Sequence, residues 1–166
     1  ATLEKTYLWE TLNALDAPCP RSSHQISSFG SRIFLFGGEN APAHSHFGYG
    51  IPVESTAVEC LDLDQADPRW REVPVTAGNP PSARLGHGQS IIVDAEERVF
   101  LYVFGGRRPQ APGDLQNVQS LNDLHRFDIE SGIWEEINGT GEVPSARSYH
   151  QMVSVDHTLF VFAGMI

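Results

Sequence analysis

Lysine is almost absent from this chain of 166 residues. Only Lys5 among the eleven basic residues is a lysine, and the formal net charge is −10. Because a nucleic-acid-binding protein normally presents a basic face, this charge disfavours a nucleic-acid partner. No apolar run approaches the roughly 18 residues of a membrane span, so no membrane partner is predicted. The only cysteines are Cys19 and Cys60, and they form no C-x-x-C pattern. This scarcity fits a reducing compartment, and we predict a cytoplasmic location.

Helical periodicity and catalytic signatures are also missing. No window shows sustained 3.6-residue periodicity, and there is no nucleophile elbow, P-loop or H-E-x-x-H motif. Three histidines recur at equal spacing, at positions 24, 87 and 150. Bound metal would need several such ligands to converge, and we expect these histidines to bond the backbone at strand starts instead. The sequence therefore predicts no catalytic residue, no metal site and no cofactor.

A pattern P-x-x-R-x-x-H is present three times, at intervals of 63 residues. Its copies are "PCPRSSH" (18–24), "PSARLGH" (81–87) and "PSARSYH" (144–150). After each histidine come one apolar run, a polar turn and a second run that ends in two small residues. A third run and a tryptophan complete the unit, as Trp70 and Trp134 show. Four short runs per unit, separated by turn residues, predict a tandem of four-stranded blades, which is typical of a β-propeller.

This order of motifs resembles the kelch repeat. The elements that carry the resemblance are R-x-x-H, a strand ending in Gly-Gly as in "VFGG" (103–106), "NDL" (122–124) and a closing tryptophan. The resemblance extends from about Tyr7 to Gly164 and implies an all-β fold, a kelch-type propeller present as a partial ring of four-stranded blades. Within residues 1–166 it predicts an outer strand at 7–12, blades at 22–74 and 85–138, and a half blade at 148–164. The sequence departs from the kelch pattern at two places. Ala163 replaces a glycine, and "AVECLDLD" (57–64) lacks Asn-Asp-Leu.

Strand placement predicts which connections share one rim. The innermost strands are expected at 23–28, 87–93 and 150–155, and the second strands at 32–37, 99–105 and 158–163. Long loops at 39–56 and 107–120 and the P-x-x-R connections should then emerge on the same side. Because the last unit has only two strands, we expect the remaining blades of the ring in the same longer chain or from another chain.

The predicted function is that of a scaffold or adaptor that binds a partner on this rim. Kelch propellers that resemble this chain often bind peptide segments on this rim, and the resemblance therefore implies a protein or peptide partner. Three arginines in register would suit an acidic one, since guanidinium groups bind carboxylates. The predicted contact residues are Arg21, Arg84 and Arg147, with hydroxyl groups from Ser22, Ser23, Ser148 and Tyr149. A structural role remains open, in which each arginine pairs with an acid or carbonyl of the next blade.

An enzymatic function is the alternative. Two groups that resemble kelch propellers, the plant iron-dependent specifier proteins and copper oxidases, carry out chemistry. The specifier pattern E-x-x-x-D-x-x-x-H has no match in this sequence. A metal-dependent enzyme or enzyme-associated propeller would therefore need its chemistry outside this segment.

Overall fold

The computed structural model describes residues 8–40, 51–111, 114 and 117–166 of the chain. Ten β-strands follow one another within these residues, and none of the described residues is helical. The strands are β1 (Gln25–Phe29), β2 (Arg32–Phe36), β3 (Glu59–Asp62), β4 (Trp70–Glu72), β5 (Gly88–Val93), β6 (Val99–Pro109), β7 (Val118–Asp128), β8 (Ile133–Glu136), β9 (Gln151–Val155) and β10 (Thr158–Phe162). In the described part of the chain no helix could cross a membrane.

The strands form two four-stranded antiparallel sheets and one hairpin. Strands β1 to β4 pair in chain order, β5 to β8 do the same, and β9 pairs with β10. We call these units blade 1, blade 2 and blade 3. The predicted all-β fold with four-stranded blades is confirmed. An up-and-down order joins each strand to the next by a turn or a loop, and the turn residues of the sequence lie at these joints.

The innermost strands of neighbouring blades lie side by side. Strand β5 packs against both β1 and β9. The side-chain amide of Gln89 donates to the hydroxyl of Ser27 at 3.2 Å, and the hydroxyl of Ser90 donates to that of Ser154 at 3.0 Å. These polar contacts fix the register between blades, because a shift would leave buried polar groups without partners.

The hydrophobic core lies between blade 1 and blade 2. It is built from Phe34, Phe36, Val58, Val99, Leu101, Val103, Phe127, Ile129 and Trp134. Trp134 is 2% exposed, and its ring lies 4.9 Å from that of Phe127 and 5.8 Å from that of Phe36. Trp134 thus packs between the two blades. Its indole nitrogen has no hydrogen-bond partner among the described residues.

The predicted loop at 107–120 is strand at both of its ends. Strand β6 continues through Arg107 and Arg108 to Pro109, and β7 begins at Val118. A bulge between Phe104 and Gly106 shifts the register, after which pairing resumes and extends the hairpin. Of the other predicted loop, 39–56, residues 41–50 lie outside the described residues.

The predicted outer strand at 7–12 is not formed over its described residues, 8–12. A strand depends on backbone hydrogen bonds to a neighbouring strand, and none joins residues 8–12 to another described residue. Trp9 is 97% exposed as a result. Among the described residues the first β-bridge comes later, where Leu15 pairs in parallel with Arg69.

Gly78 is expected to tolerate no side chain. It has φ +76°, and a Cβ at this position would lie 1.9 Å from the carbonyl oxygen of Trp134. We therefore expect Gly78→Ala to lower the free energy of unfolding by about 2 kcal/mol or more, measured by urea denaturation. Gly139→Ala is the matched control, because a Cβ there would meet nothing within 4 Å. Equal effects of the two substitutions would contradict the expectation.

Candidate functional site

The three R-x-x-H connections have one local structure. The residue before each histidine has a positive φ, at Ser23 (55°), Gly86 (62°) and Tyr149 (55°). These residues are linked across the blades, since the amide of Gly86 donates to the carbonyl of Ser23 at 2.9 Å and that of Tyr149 to the carbonyl of Gly86 at 2.6 Å. We call the surface at this end of the innermost strands the inner rim. It consists of Ser22, Ser23, Glu39, Leu85, Gly86, Arg107, Ser148, Tyr149 and Met165.

Arg84 is fully buried and holds its own blade together. Its guanidinium donates two hydrogen bonds of 2.7 Å to the carboxylate of Asp123 on β7 and one of 2.9 Å to the carbonyl of Gly105 on β6. Asp123 also contacts the Nε2 of His125 at 2.8 Å. Burial alone would raise the pKa of Asp123, but the hydrogen bonds from Arg84 and His125 outweigh it and hold this pKa well below its usual range.

Arg21 occupies the corresponding place in blade 1. It donates to the carboxylate of Glu59 at 3.1 Å and to the carbonyl of Gly37 at 3.3 Å, and its side chain is 6% exposed. Burial raises the pKa of Glu59 although the charge of Arg21 opposes this shift. The acid is thus supplied by the third strand of the same blade, as it is for Arg84.

Arg147 has the same main-chain partners but no carboxylate among the described residues. It donates to the carbonyl of Ala163 at 3.0 Å and to the carbonyl and hydroxyl of Ser145 at 3.0 and 2.9 Å. Blade 3 contains only β9 and β10, so no third strand presents an acid to it in the described structure.

These contacts agree with the structural role that the sequence left open. Each guanidinium binds a carbonyl of the blade that follows its P-x-x-R segment, and Arg21 and Arg84 also bind an acid there. It is the arginine carbonyls that join blades, because the amides of Gly38 and Gly106 donate to Arg84 and Arg147 at 2.9 Å. Arg84, with no exposed surface, cannot contact a partner in this conformation.

An arginine and a tyrosine that meet between blades 2 and 3 form the most distinctive feature of the inner rim. The guanidinium of Arg107 donates to the hydroxyl of Tyr149 at 2.7 Å and lies 4.6 Å from the centre of its ring. Tyr149 is 39% exposed, while Arg107 is buried beneath it and Arg108 beside it is exposed. A Cβ at Gly86 would lie 3.0 Å from the tyrosine ring, so this glycine makes room for it.

Sequence reasoning singled out Tyr149 but missed Arg107. The available signal was the position directly after each pair of small residues, which holds Glu39, Arg107 and Met165. In the structure these residues bridge to the position after each arginine, at Ser22, Leu85 and Ser148. Because these residues all lie on the inner rim, their differences give each blade its own surface.

The serines of the inner rim are largely engaged within the protein. The hydroxyls of Ser22 and Ser23 donate to one carboxylate oxygen of Glu39, at 3.1 and 2.5 Å. The other oxygen of Glu39 is buried and has no hydrogen-bond partner in the described structure. Ser148 is 2% exposed. Of the seven predicted contact residues, only Ser22 and Tyr149 are exposed.

The repeated histidines pack against aromatic rings. His87 lies 5.4 Å from Phe36 of the preceding blade, and His150 lies 5.4 Å from Phe104. Burial, followed by the charge of Arg84, lowers the pKa of His87 to about 3. Burial and the charge of Arg147 also lower the pKa of His150. No three His, Cys, Asp or Glu side chains converge on a metal-binding position within the described residues.

Comparisons with known proteins agree with this architecture. The family model described as "KLHDC2/KLHL20/DRC7 Kelch-repeats domain" matches residues 2–164. The mouse Rab9 effector protein with kelch motifs is 27% identical over 203 residues, an alignment covering 95% of this chain and 51% of that protein. An N-(sulfonatooxy)prop-2-enimidothioate sulfolyase from Thlaspi arvense is 29% identical over 150 residues, covering 89% of this chain and 36% of that protein.

The fold also matches a solved structure, that of YjhT. The TM-score is 0.62 at 19% identity, and the match covers 96% of this chain and 41% of that one. The chain thus spans about half or less of the length of each protein it matches here. Because the family model covers nearly all of the sequence, the predicted resemblance is confirmed, and the chain belongs to the kelch-repeat family.

Proposed function

We propose that this chain is a protein-binding propeller segment whose inner rim binds an acidic peptide segment of a partner protein. The observation that carries the proposal is the exposed Tyr149, held at φ 55° and supported from below by Arg107. The name of the Rab9 effector relative supports the general class, a propeller that acts through another protein.

The backbone at Tyr149 favours a binding role over a packing role. A non-glycine residue in the left-handed region costs about 1–2 kcal/mol, and such strain is concentrated at functional sites. The equivalent positions hold Ser23 and Gly86, which are small, so the fold does not require a large ring there. Tyrosine and arginine are also enriched among the residues at the energetic centre of protein interfaces.

The charges around Tyr149 indicate an acidic segment. Arg107 places a cation at this rim, and the exposed Arg108 follows it along β6, in a chain whose net charge is −10. A carboxylate that approaches elsewhere on the protein meets mostly negative charge, so these two arginines would direct it to the inner rim. A cytoplasmic location and the absence of nucleic-acid or membrane partners belong to the same proposal.

We expect Tyr149→Ala to weaken binding of a selected peptide by about tenfold or more, as truncation of a central interface tyrosine does. Peptides would be selected from a displayed random library on the unmodified chain, and their affinities measured by calorimetry. Arg108→Ala should weaken acidic peptides by about 10-fold or more through loss of a charged hydrogen bond. The control is His157→Ala, since His157 is exposed in the turn at the opposite end of β9. Selection of peptides whose affinity is changed by His157→Ala and not by Tyr149→Ala would overturn the proposal.

An enzymatic role is the second candidate, favoured by the sulfolyase name of one relative. The described residues bring no three potential metal ligands together, so this role has less support here than partner binding. Measurement of iron and copper in the purified chain separates the two candidates. Stoichiometric metal would favour the enzymatic one.

A further inference from the structure

A cleft lies at the junction of blades 1 and 2, on the face of blade 2 that is turned toward blade 1. Its volume is about 460 Å³, a size typical of small-ligand sites. One wall is the connection 78–82, and the other carries Asp123 and His125 of β7 and Trp134 and Glu136 of β8. Both blades that meet here have four strands, and the cleft shares no residue with the inner rim.

Two buried ring nitrogens among the residues that line this cleft have no partner. Trp134 is 2% exposed and His125 is 7% exposed. Neither the indole Nε1 nor the imidazole Nδ1 makes a hydrogen bond within the described part of the chain. The two rings meet edge to face, with their centres 6.5 Å apart. Because buried polar groups are almost always hydrogen-bonded, two unpartnered nitrogens on adjacent rings beside one cleft indicate a ligand.

The two nitrogens have opposite hydrogen-bonding roles. The indole Nε1 only donates. The Nε2 of His125 lies 2.8 Å from the carboxylate of Asp123, which is ionised and paired with Arg84, so Nε2 donates and the neutral ring presents a lone pair at Nδ1. A group that satisfies both nitrogens has to accept one hydrogen bond and donate another. A hydroxyl group does both.

The remainder of the cleft is rich in acceptors. Pro80 and Pro81 contribute carbonyls to the wall but no N–H groups, and Glu136 contributes an exposed carboxylate. No lysine or arginine is among the described residues that line the cleft. An anionic ligand is therefore disfavoured by like charge. An ammonium group fails for another reason, since it cannot accept a hydrogen bond from Trp134.

We propose that this cleft binds a neutral sugar, one hydroxyl of which bridges the indole Nε1 of Trp134 and the Nδ1 of His125. Neighbouring hydroxyls of the same sugar would donate to the carboxylate of Glu136 and to the carbonyls of the connection 78–82. A carboxamide would also join the two nitrogens, but it has fewer donors for the other acceptors of the cleft. This site is separate from the peptide site proposed on the inner rim and does not depend on it.

Titration of the isotope-labelled chain with the methyl glycosides of glucose, galactose and mannose tests the proposal. The indole N–H signals are followed by NMR and assigned with the variants Trp70→Phe and Trp134→Phe. The signal of Trp134 should shift and saturate with at least one of the three sugars. The signal of Trp9, which is outside the cleft and 97% exposed, should not move. The methyl glycoside of glucuronic acid should cause no shift, because its carboxylate would approach Glu136.

A pair of substitutions on β8 supplies the matched control. Glu136→Ala should weaken binding of the sugar by about 10-fold or more, through loss of a charged hydrogen bond. Glu135→Ala removes the same charge from the opposite face of the strand, where Glu135 bonds Arg126, and should leave the affinity unchanged. His125→Phe keeps a ring against Trp134 but removes the acceptor, so it should also weaken binding by about 10-fold. Urea denaturation verifies that each variant is folded.

Three results would overturn the proposal. The first is a Trp134 signal that none of the three sugars shifts, even where water contacts the indole N–H, since solvent would then satisfy both nitrogens. The second is equal weakening by Glu136→Ala and Glu135→Ala. The third is a Trp134 signal that acetamide shifts and the sugars do not, because a carboxamide would then be the preferred group.

Discussion

Replacement of Arg84 by alanine is expected to lower the free energy of unfolding by about 3–5 kcal/mol, the usual cost of removing one partner of a buried ion pair. The substitution removes both hydrogen bonds to Asp123 and the one to Gly105. Asp123 would then remain partly buried as a carboxylate without its cation. The link that the Arg84 side chain makes between β6 and β7 next to the bulge would also be lost. We expect this loss to destabilise the outer strands of blade 2.

Arg147→Ala provides a matched control, because Arg147 repeats every contact of Arg84 except those to a carboxylate. Arg84 bonds the carbonyl and hydroxyl of Ser82 as Arg147 bonds those of Ser145. We expect this substitution to cost only about 1–1.5 kcal/mol. Urea denaturation at pH 7 measures both. Equal losses for the two variants would show that the pair with Asp123 contributes nothing to stability.

The second large effect is a dependence of stability on pH that originates in His87. Its pKa, about 3 in the folded protein, is lowered by burial first and then by the charges of Arg84, His150 and His24, while the side chain of Gln89 acts in the opposite direction. An unfolded histidine has a pKa near 6.5, so below that pH the unfolded chain takes up a proton that the folded chain does not. Stability is therefore greatest above about pH 6.5 and falls by about 1.4 kcal/mol per pH unit down to about pH 3.

The variant His87→Asn isolates this contribution, because asparagine does not titrate. The slope of unfolding free energy against pH is the readout, since the substitution also changes packing against Phe36 at every pH. Between pH 6.5 and 5.0 the variant should lose about 2 kcal/mol less stability than the unmodified chain. His150 still contributes in the variant, as its pKa is also lowered. An unchanged slope in His87→Asn would contradict the assignment.

The fold could be predicted from the sequence because its signals are local and repeated. The 63-residue interval and the four apolar runs per unit are readable without any knowledge of long-range contacts. The segment at 7–12 has the same local signals and is nevertheless not a strand over its described residues. Local propensity does not supply the neighbouring strand that its hydrogen bonds need. The extension of the hairpin beyond Gly106 was not predicted for a different reason. After the bulge, polar residues continue the pairing of β6 and β7, whereas the apolar pattern that indicates a strand in the sequence ends before it.

The partners of the arginines could not be predicted because they depend on strand register. By alignment through Leu61 and Phe127, the position of Asp123 corresponds to Ala57 in blade 1. The acid in blade 1 is Glu59 instead, two residues further along and so on the same face of the strand. Its longer side chain reaches the same guanidinium position. An alignment of the repeats therefore shows no acid at position 57 of blade 1, although in the structure Glu59 takes the role that Asp123 has in blade 2.

One consequence of the arginine positions concerns cooperativity. Arg84 contributes to two levels of structure, because its side chain secures β6 and β7 of blade 2 while its carbonyl accepts the amide of Gly38 from blade 1. In nearest-neighbour descriptions of repeat proteins, the intrinsic stability of a unit and its coupling to the next are separate terms. Here both terms depend on Arg84, so a loss of internal order in blade 2 should also weaken the contact between blade 2 and blade 1. We therefore expect blades 1 and 2 to unfold together.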